Sequence, residues 1–208
     1  MSYLVVALPE DKTLEELQSI RDYFYQNDFR YHNKPCSDKA HITLARIKDV
    51  TNKFIGSLTE AFENEKSFTL SDFIIHTQEH KRVYKNPKYN KEYPNWCGWF
   101  TLLFHENKNL IGISQKIMDV ANKYSLDESY AYVQDIIKSQ NIDIQSDINM
   151  FDYIANHMNI CNYIRLEKIK SAREIFENEF NYDRIPIDKI WIRNKNGDII
   201  KEIRLNSF

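Results

Sequence analysis

His41-Ile42-Thr43-Leu44 is the stretch around which the chain is organised, and His157-Met158-Asn159-Ile160 repeats its pattern more weakly. Alternate side chains of a β-strand lie on the same face. Each tetrad therefore predicts a strand with a histidine and a hydrogen-bonding side chain on one face and two apolar side chains on the other. Ala45 and Cys161 come next on the predicted polar face, where small side chains would leave space beside the histidines. Two such strands, brought together by an internal duplication, would line a cleft with facing histidines.

The order of the predicted elements favours that duplication. Strand, helix, histidine strand, helix and strand describe residues 3–77, and the same order describes residues 99–193. Asp72 follows His41 by the same number of positions as Asp188 follows His157, 31 in each case. The sequence thus predicts an α+β protein of two duplicated β-α-β-α-β units, related by a pseudo-two-fold axis, that form two antiparallel sheets around a central cleft. We expect one bilobal domain over 1–208, with lobe one at about 1–80, lobe two at about 96–208, and an extra segment at about 125–156 that has no clear place in a sheet.

Local signals place several boundaries. Thr13 predicts the cap of a helix over Leu14–Gln26, because Glu16 stands three residues later as a capping box requires. Residues 68–77 predict a single strand, rich in β-branched and aromatic side chains. Asn196-Gly197 predicts a hairpin turn between the last two strands.

Composition and charge exclude several classes of protein. The apolar fraction of 42% and the charged fraction of 28% are those of an ordinary globular protein. A net charge of −2 gives no overall attraction to nucleic acid, so phosphate binding must come from local groups. The four glycines form no glycine-rich phosphate loop, and the three widely spaced cysteines predict reduced thiols. Because no apolar run reaches the roughly 18 residues of a membrane span, and no signal-peptide pattern opens the chain, we expect a soluble, cytoplasmic protein without a membrane partner.

Paired histidines across a cleft suit general acid–base catalysis. Near neutral pH one imidazole can accept a proton while the other donates one, and each such transfer typically accelerates a reaction about 10²–10⁴-fold. Thr43 and Asn159, each two residues after a histidine, can donate hydrogen bonds to phosphoryl oxygens. A phosphodiester cut in line is the substrate that suits this set without a metal. We therefore predict His41 and His157 as the acid–base pair, Thr43 and Asn159 as phosphate-holding residues, and no cofactor or metal.

The two tetrads resemble the His-x-Thr/Ser-x motifs of the two-histidine phosphoesterases, which include the bacterial 2′–5′ RNA ligase-like proteins and the cyclic phosphodiesterases. The first tetrad fits the motif, whereas the second has Asn159 where threonine or serine is usual. The resemblance implies a bilobal, pseudo-symmetric fold and metal-independent action on 2′,3′-cyclic phosphates or 2′–5′-linked oligonucleotides. It also implies RNA or an (oligo)nucleotide as the partner, and we expect a monomer. A catalytically weakened protein that binds RNA or a nucleotide, and an interaction domain with incidental histidines, are the alternatives.

Other residue groups have two interpretations each. The basic, aromatic stretch 80–95, in which Lys81 and Arg82 stand, either lies along an oligonucleotide or is a solvated hairpin tip. Tyr130, Tyr132 and Tyr153 in the extra segment either stack on a base at the cleft mouth or form a small core.

Metal binding and further catalytic groups are the weaker hypotheses. His32, Cys36 and His41 suggest a zinc site, but their spacing is irregular and no second cysteine pair accompanies them. The remaining histidines (His76, His80 and His105) are given ordinary structural roles. Asp72 and Asp188 are interpreted as turn or strand-edge residues.

Overall fold

A computed structural model describes residues 2–31, 39–81, 96–105, 107–140, 150–180 and 182–207. The strands are β1 Tyr3–Pro9, β2 Ile42–Ile47, β3 Phe68–Leu70, β4 Phe73–Lys81, β5 Trp96–Phe104, β6 His157–Ile164, β7 Ile185–Asn194 and β8 Ile199–Arg204. The α-helices are α1 Asp11–Gln26, α2 Asn52–Phe62, α3 Lys108–Lys123, α4 Ser129–Gln140 and α5 Ile169–Glu179. Short 3₁₀ turns cover Met150–Asp152 and Leu166–Lys168.

The strands form an antiparallel sheet that curves around a cleft. Their order is β3-β7-β1-β2-β6-β5-β4, and β8 pairs with β7. β2 and β6 meet at the single pair Ile42–Met158, so the sheet consists of two halves joined where the histidine strands touch. The predicted α+β architecture, with antiparallel sheets around a central cleft, is confirmed.

The two units exchange their last strands. β4, from the first unit, pairs along its length with β5, and β7, from the second unit, pairs along its length with β1. Each half of the sheet therefore contains strands from both halves of the chain. The duplicated units are interlocked rather than placed side by side.

Short segments after two of the helices complete the pairing of the histidine strands. After α1, Tyr31 donates its N–H to the carbonyl of Tyr163 at the end of β6, at 3.0 Å. After α3, Glu128 donates its N–H to the carbonyl of Arg46 at the end of β2, at 2.8 Å. As predicted, the extra segment adds no strand to the sheet over its described residues. Its first residues form only an isolated bridge, Ile47–Asp127, and satisfy backbone groups that β6 leaves open when it diverges from β2.

Helices cover the face of the sheet that points away from the cleft. Ile42, Leu44 and Ile47 of β2 are fully buried there. On β5, Phe100 contacts Phe24 of α1 and Phe176 of α5 edge to face, with ring centroids 6.2 and 5.2 Å apart. This aromatic packing holds the helices against one face of the sheet, which leaves the cleft face available for a site.

Two predicted boundaries differ in the structure. Helix α1 begins at Asp11, with Glu10 as its N-cap residue, rather than after Thr13. An acidic residue in the first turn favours the helix dipole, and Pro9 ends the preceding strand, so the helix starts one turn earlier than predicted. Residues 68–77 form parts of two strands instead of one, because Asp72 adopts the left-handed conformation (φ 57°) between them.

The C-terminal hairpin is as predicted. Gly197 has a positive φ of 93°, which suits glycine, and its N–H donates to the carbonyl of Asn194 at 3.1 Å. Among the helices in the described parts of the chain, none is both long and apolar enough to cross a membrane.

Candidate active site

The register of β2 and β6 brings the two tetrads together. Since Ile42 lies opposite Met158 in an antiparallel pair, His41 lies opposite Asn159 and Thr43 lies opposite His157. Ile42 and Met158 are fully buried towards the helices, so the other four side chains share the cleft face. The two histidines occupy diagonal positions, which are about 7–8 Å apart in such pairs, with the Cβ atoms somewhat closer. Side chains at diagonal positions on one face can reach the same bound group.

Matching β-bulges end both tetrads. Partly buried residues alternate with buried ones from His41 to Leu44, but Ala45 is buried as well, and Arg46 is the next partly buried residue. In β6 the same sequence of burial runs from His157 to Cys161. The strand pairing shifts register at both places, between Val5 and Val6 of β1 for the first tetrad and between Phe100 and Thr101 of β5 for the second. A bulge inserts one unpaired residue and redirects the side chains beyond it.

The bulges correct one prediction. Ala45 and Cys161 do not form a floor beside the histidines, because the extra residue turns both side chains towards the helices. Arg46 and Asn162 take those positions on the cleft face instead.

Hydrogen bonds define the form of His41. Its Nδ1 lies 2.7 Å from the carbonyl oxygen of Lys39, which can only accept, so Nδ1 carries the proton. Its Nε2 lies 3.2 Å from Nη2 of Arg193, which can only donate, so Nε2 presents its lone pair. His41 is therefore held as a neutral imidazole with an accepting Nε2, which is the form that a general base needs.

His157 is held from the other side of the cleft. Its Nδ1 lies 2.8 Å from Oδ1 of Asn156 and donates to it. Burial lowers the pKa of His157 and so favours the neutral ring. The chain enters β6 through Ala155, whose φ of 59° is unusual for a residue with a Cβ, and the Ala155 N–H donates to the carbonyl of Thr43 at 2.7 Å. That bond ties the start of one histidine strand to the other.

Thr43 and Asn159, the two candidates for holding the phosphate, differ in their surroundings. Thr43 is partly buried on the cleft face beside His157. Asn159 has a buried Oδ1 without a hydrogen-bond partner among the described residues. An unmet buried polar atom costs about 1–3 kcal/mol. This oxygen can only accept, so a phosphoryl oxygen would have to bind the N–H groups of the same amide.

Comparisons with known proteins identify the fold. No protein-family profile and no curated protein sequence matches the chain. Among solved structures, E. coli LigT in complex with 3′-AMP superposes with a TM-score of 0.50 at 12% identity, over 98% of this chain and 97% of that one. The chain has the fold of E. coli LigT. The apo form of E. coli LigT gives a TM-score of 0.49 at 12% identity, over 99% and 97% of the two chains. Kluyveromyces marxianus Usb1 gives 0.39 at 9% identity, over 98% and 97%.

Within this LigT-like fold, the structure adds residues that the sequence analysis missed. Arg193 of β7 reaches the Nε2 of His41, although 152 positions separate the two residues. Arg46 lies past the first bulge, where its guanidinium stands 4.8 Å from the ring centre of Tyr132. His76 lies opposite Thr101, which in turn lies opposite Asn159, so a third histidine shares the cleft face of the sheet. Only the strand register reveals these positions.

The three tyrosines of the extra segment do not act as one group. Tyr132 is partly buried against the core and contacts Arg46, and burial raises the pKa of its hydroxyl. Tyr130 is 61% exposed and stands two residues away on α4, which places it on a different side of that helix. Tyr153 is partly buried against the core, like Tyr132. Of the three, Tyr132 is the one that the structure links to the motif strands, through Arg46.

Some predicted residues are described incompletely or stand apart. For Lys81 the structure describes the backbone alone, as the last residue of β4, and Arg82 lies outside the described residues together with His32 and Cys36. The matched spacing of Asp72 and Asp188 does not reflect matched surroundings, since Asp72 is in the break between β3 and β4 and Asp188 is inside β7.

Two surface cavities, of about 560 and 520 Å³, lie beside α3, and none of the four tetrad residues on the cleft face lines them. Within the described ranges, no three His, Cys, Asp or Glu side chains are grouped as metal ligands. The face around the histidines is thus the candidate active site on grounds of chemistry rather than of cavity size.

Proposed function

We propose that this protein is a metal-independent phosphodiesterase that acts on RNA or nucleotide phosphodiesters, with a 2′,3′-cyclic phosphate or a 2′–5′ linkage as its substrate. The observation that supports the proposal is the Ile42–Met158 register, which gives His41 and His157 diagonal positions on one face of the two histidine strands. The complex of E. coli LigT with 3′-AMP supports a nucleotide ligand for this fold.

In this mechanism His41 is the base and His157 is the acid. The Nε2 of His41 takes the proton of the attacking oxygen, from water or a ribose hydroxyl, as that oxygen attacks phosphorus in line. The bond from phosphorus to the leaving oxygen breaks, and protonated His157 gives that oxygen a proton. Thr43 and Asn159 donate to the non-bridging oxygens.

The assignment places an electrostatic demand on His157. It must be charged to act as an acid, whereas burial lowers its pKa. A phosphodiester carries one negative charge and, once seated between the imidazoles, favours the charged ring. Binding of the substrate therefore favours the protonated form of His157, which is the form that acts as the acid.

Turnover of a 2′,3′-cyclic nucleotide and of a 2′–5′-linked dinucleotide, measured with EDTA present, tests the proposal. We expect hydrolysis of at least one substrate, and a loss of at least about a hundredfold in His41→Ala and in His157→Ala with little change in thermal stability. His105→Ala, which removes an exposed histidine, is the matched control and should keep its activity.

Three outcomes would contradict the proposal in different ways. Full activity in either histidine variant removes the two-histidine mechanism. Activity that chelation abolishes and zinc or manganese restores removes metal independence. Nucleotide binding without turnover identifies a binding protein of the same fold.

A further inference from the structure

We propose that Arg193 is a phosphate ligand of this site, held on His41 before substrate binds and transferred to a phosphoryl oxygen when it does. The inference rests on the proposed function and deepens it. It assigns the site a cationic group that neither tetrad contains.

The position of Arg193 follows from two strand registers. In β7, Arg193 lies opposite Leu4 of β1, and Leu4 lies opposite Arg46 of β2. Opposed residues share a face, so Arg193 lies on the same side of the sheet as the histidines. From β7 its side chain extends past β1 to reach the Nε2 of His41 at 3.2 Å. Only 8% of Arg193 is exposed, so this cation is held within the protein rather than in bulk solvent.

The contact with His41 occupies the atom that the reaction needs. A base must use its Nε2 lone pair to take a proton, and in the structure that lone pair accepts from Arg193. A phosphoryl oxygen is a stronger acceptor for a guanidinium than a neutral imidazole nitrogen, because it carries negative charge and because two phosphoryl oxygens can accept from the planar guanidinium in parallel. Arrival of a phosphodiester therefore draws Arg193 from His41 to the phosphate and frees Nε2 for the attacking hydroxyl.

The remaining contacts of His41 favour this role over a purely structural one. Its Nδ1 is already fixed by the carbonyl of Lys39 at 2.7 Å, so the ring does not depend on Arg193 for its tautomer. Asn159, in place of the usual hydroxyl residue, offers a neutral amide to the phosphate. Arg193 adds a positive charge from β7, in contact with His41, which lies opposite Asn159.

Binding of inorganic phosphate, by calorimetry and by competitive inhibition, tests Arg193 without requiring turnover. We expect Arg193→Met to weaken phosphate binding about ten- to a hundredfold. The phosphate affinity of Arg193→Lys should lie between those of the wild type and Arg193→Met, since lysine keeps the charge but lacks the planar guanidinium. Arg204→Met on neighbouring β8, which removes an exposed arginine paired with Glu202, is the matched control and should bind phosphate as the parent does.

A structural role gives a different result. Arg193→Met would then lower the melting temperature while a folded variant kept its phosphate affinity, which overturns the inference. If neither variant folds, the side-chain Nε–H signal of Arg193 in the wild-type NMR spectrum decides: a shift on addition of phosphate supports the role, and an unchanged signal overturns it. Loss of phosphate binding in a protein without turnover would support Arg193 and refute the proposed reaction. Turnover together with an unchanged phosphate affinity in Arg193→Met would support the proposed reaction and refute the role of Arg193.

Discussion

Asn156→Asp tests which histidine is the acid. Oδ1 of Asn156 accepts from Nδ1 of His157 at 2.8 Å, so the substitution places a carboxylate where an amide oxygen now lies. The carboxylate raises the pKa of His157 and opposes the effect of burial, which lowers it. Opposite charges about 4 Å apart at an effective dielectric of about 20 attract by about 4 kcal/mol, and partial solvent access reduces this. We therefore expect the His157 titration to move up by about 1–2 pH units.

The pH dependence of kcat/KM reports the free enzyme and has two limbs. Where the pKa of the acid lies above that of the base, the acidic limb belongs to the group that must be neutral, and the alkaline limb belongs to the group that must be charged. With His157 as the acid, Asn156→Asp moves the alkaline limb to higher pH and leaves the acidic limb in place. Movement of the acidic limb instead would reverse the two roles.

One result would refute the reasoning altogether. If NMR shows that the pKa of His157 has risen while neither limb moves, then His157 takes no part in the chemistry. Asn52→Asp makes the same charge change at the exposed first residue of α2 and should leave both limbs unchanged.

Two further predictions concern Asn159 and the pH dependence of stability. If Asn159 donates to the phosphate, Asn159→Ala should lower kcat/KM about ten- to a hundredfold, the value of one hydrogen bond to a charged group. Asn159→Thr should keep activity within about tenfold of the wild type or raise it. Equal activity in all three proteins would mean that residue 159 does not touch the substrate. Because burial lowers the pKa of His157, the unfolded chain binds its proton more readily than the folded protein does. This contribution to stability is present above the ordinary pKa of about 6.5 and is lost as pH falls through the lowered value. Urea unfolding of His157→Gln at pH 7.5 and 5.5 should thus show a smaller drop than wild type, and equal drops would contradict the assignment.

Period-two alternation predicted which side chains of the two tetrads share a face, but not where that alternation ends. His41, Thr43, His157 and Asn159 share a face because each pair is separated by one residue, and that rule needs no tertiary information. The rule fails one residue later, at Ala45 and Cys161, because a bulge depends on the partner strand and leaves no mark in the alternation of one strand alone.

Long-range contacts account for what the sequence could not indicate. Arg193 stands in a strand of ordinary composition, and only the pairing of β7 with β1 brings it to His41. The start of helix α1 differs from the prediction because Glu10 is its N-cap residue rather than Thr13. The predicted single strand is broken at Asp72 because that residue is left-handed. The fold class survives such errors because it depends on the order of elements rather than on their ends.

The exchange of last strands has a consequence for how the protein is made. β1 ends at Pro9, yet its partner β7 begins only at Ile185. At about 5–20 residues per second, the ribosome needs roughly 10–40 s to deliver that partner. During this interval one edge of β1 has no mate, and such edges promote aggregation. We expect the nascent chain to depend on protection until β7 emerges, and to gain its cooperative stability only after β7 has been synthesised.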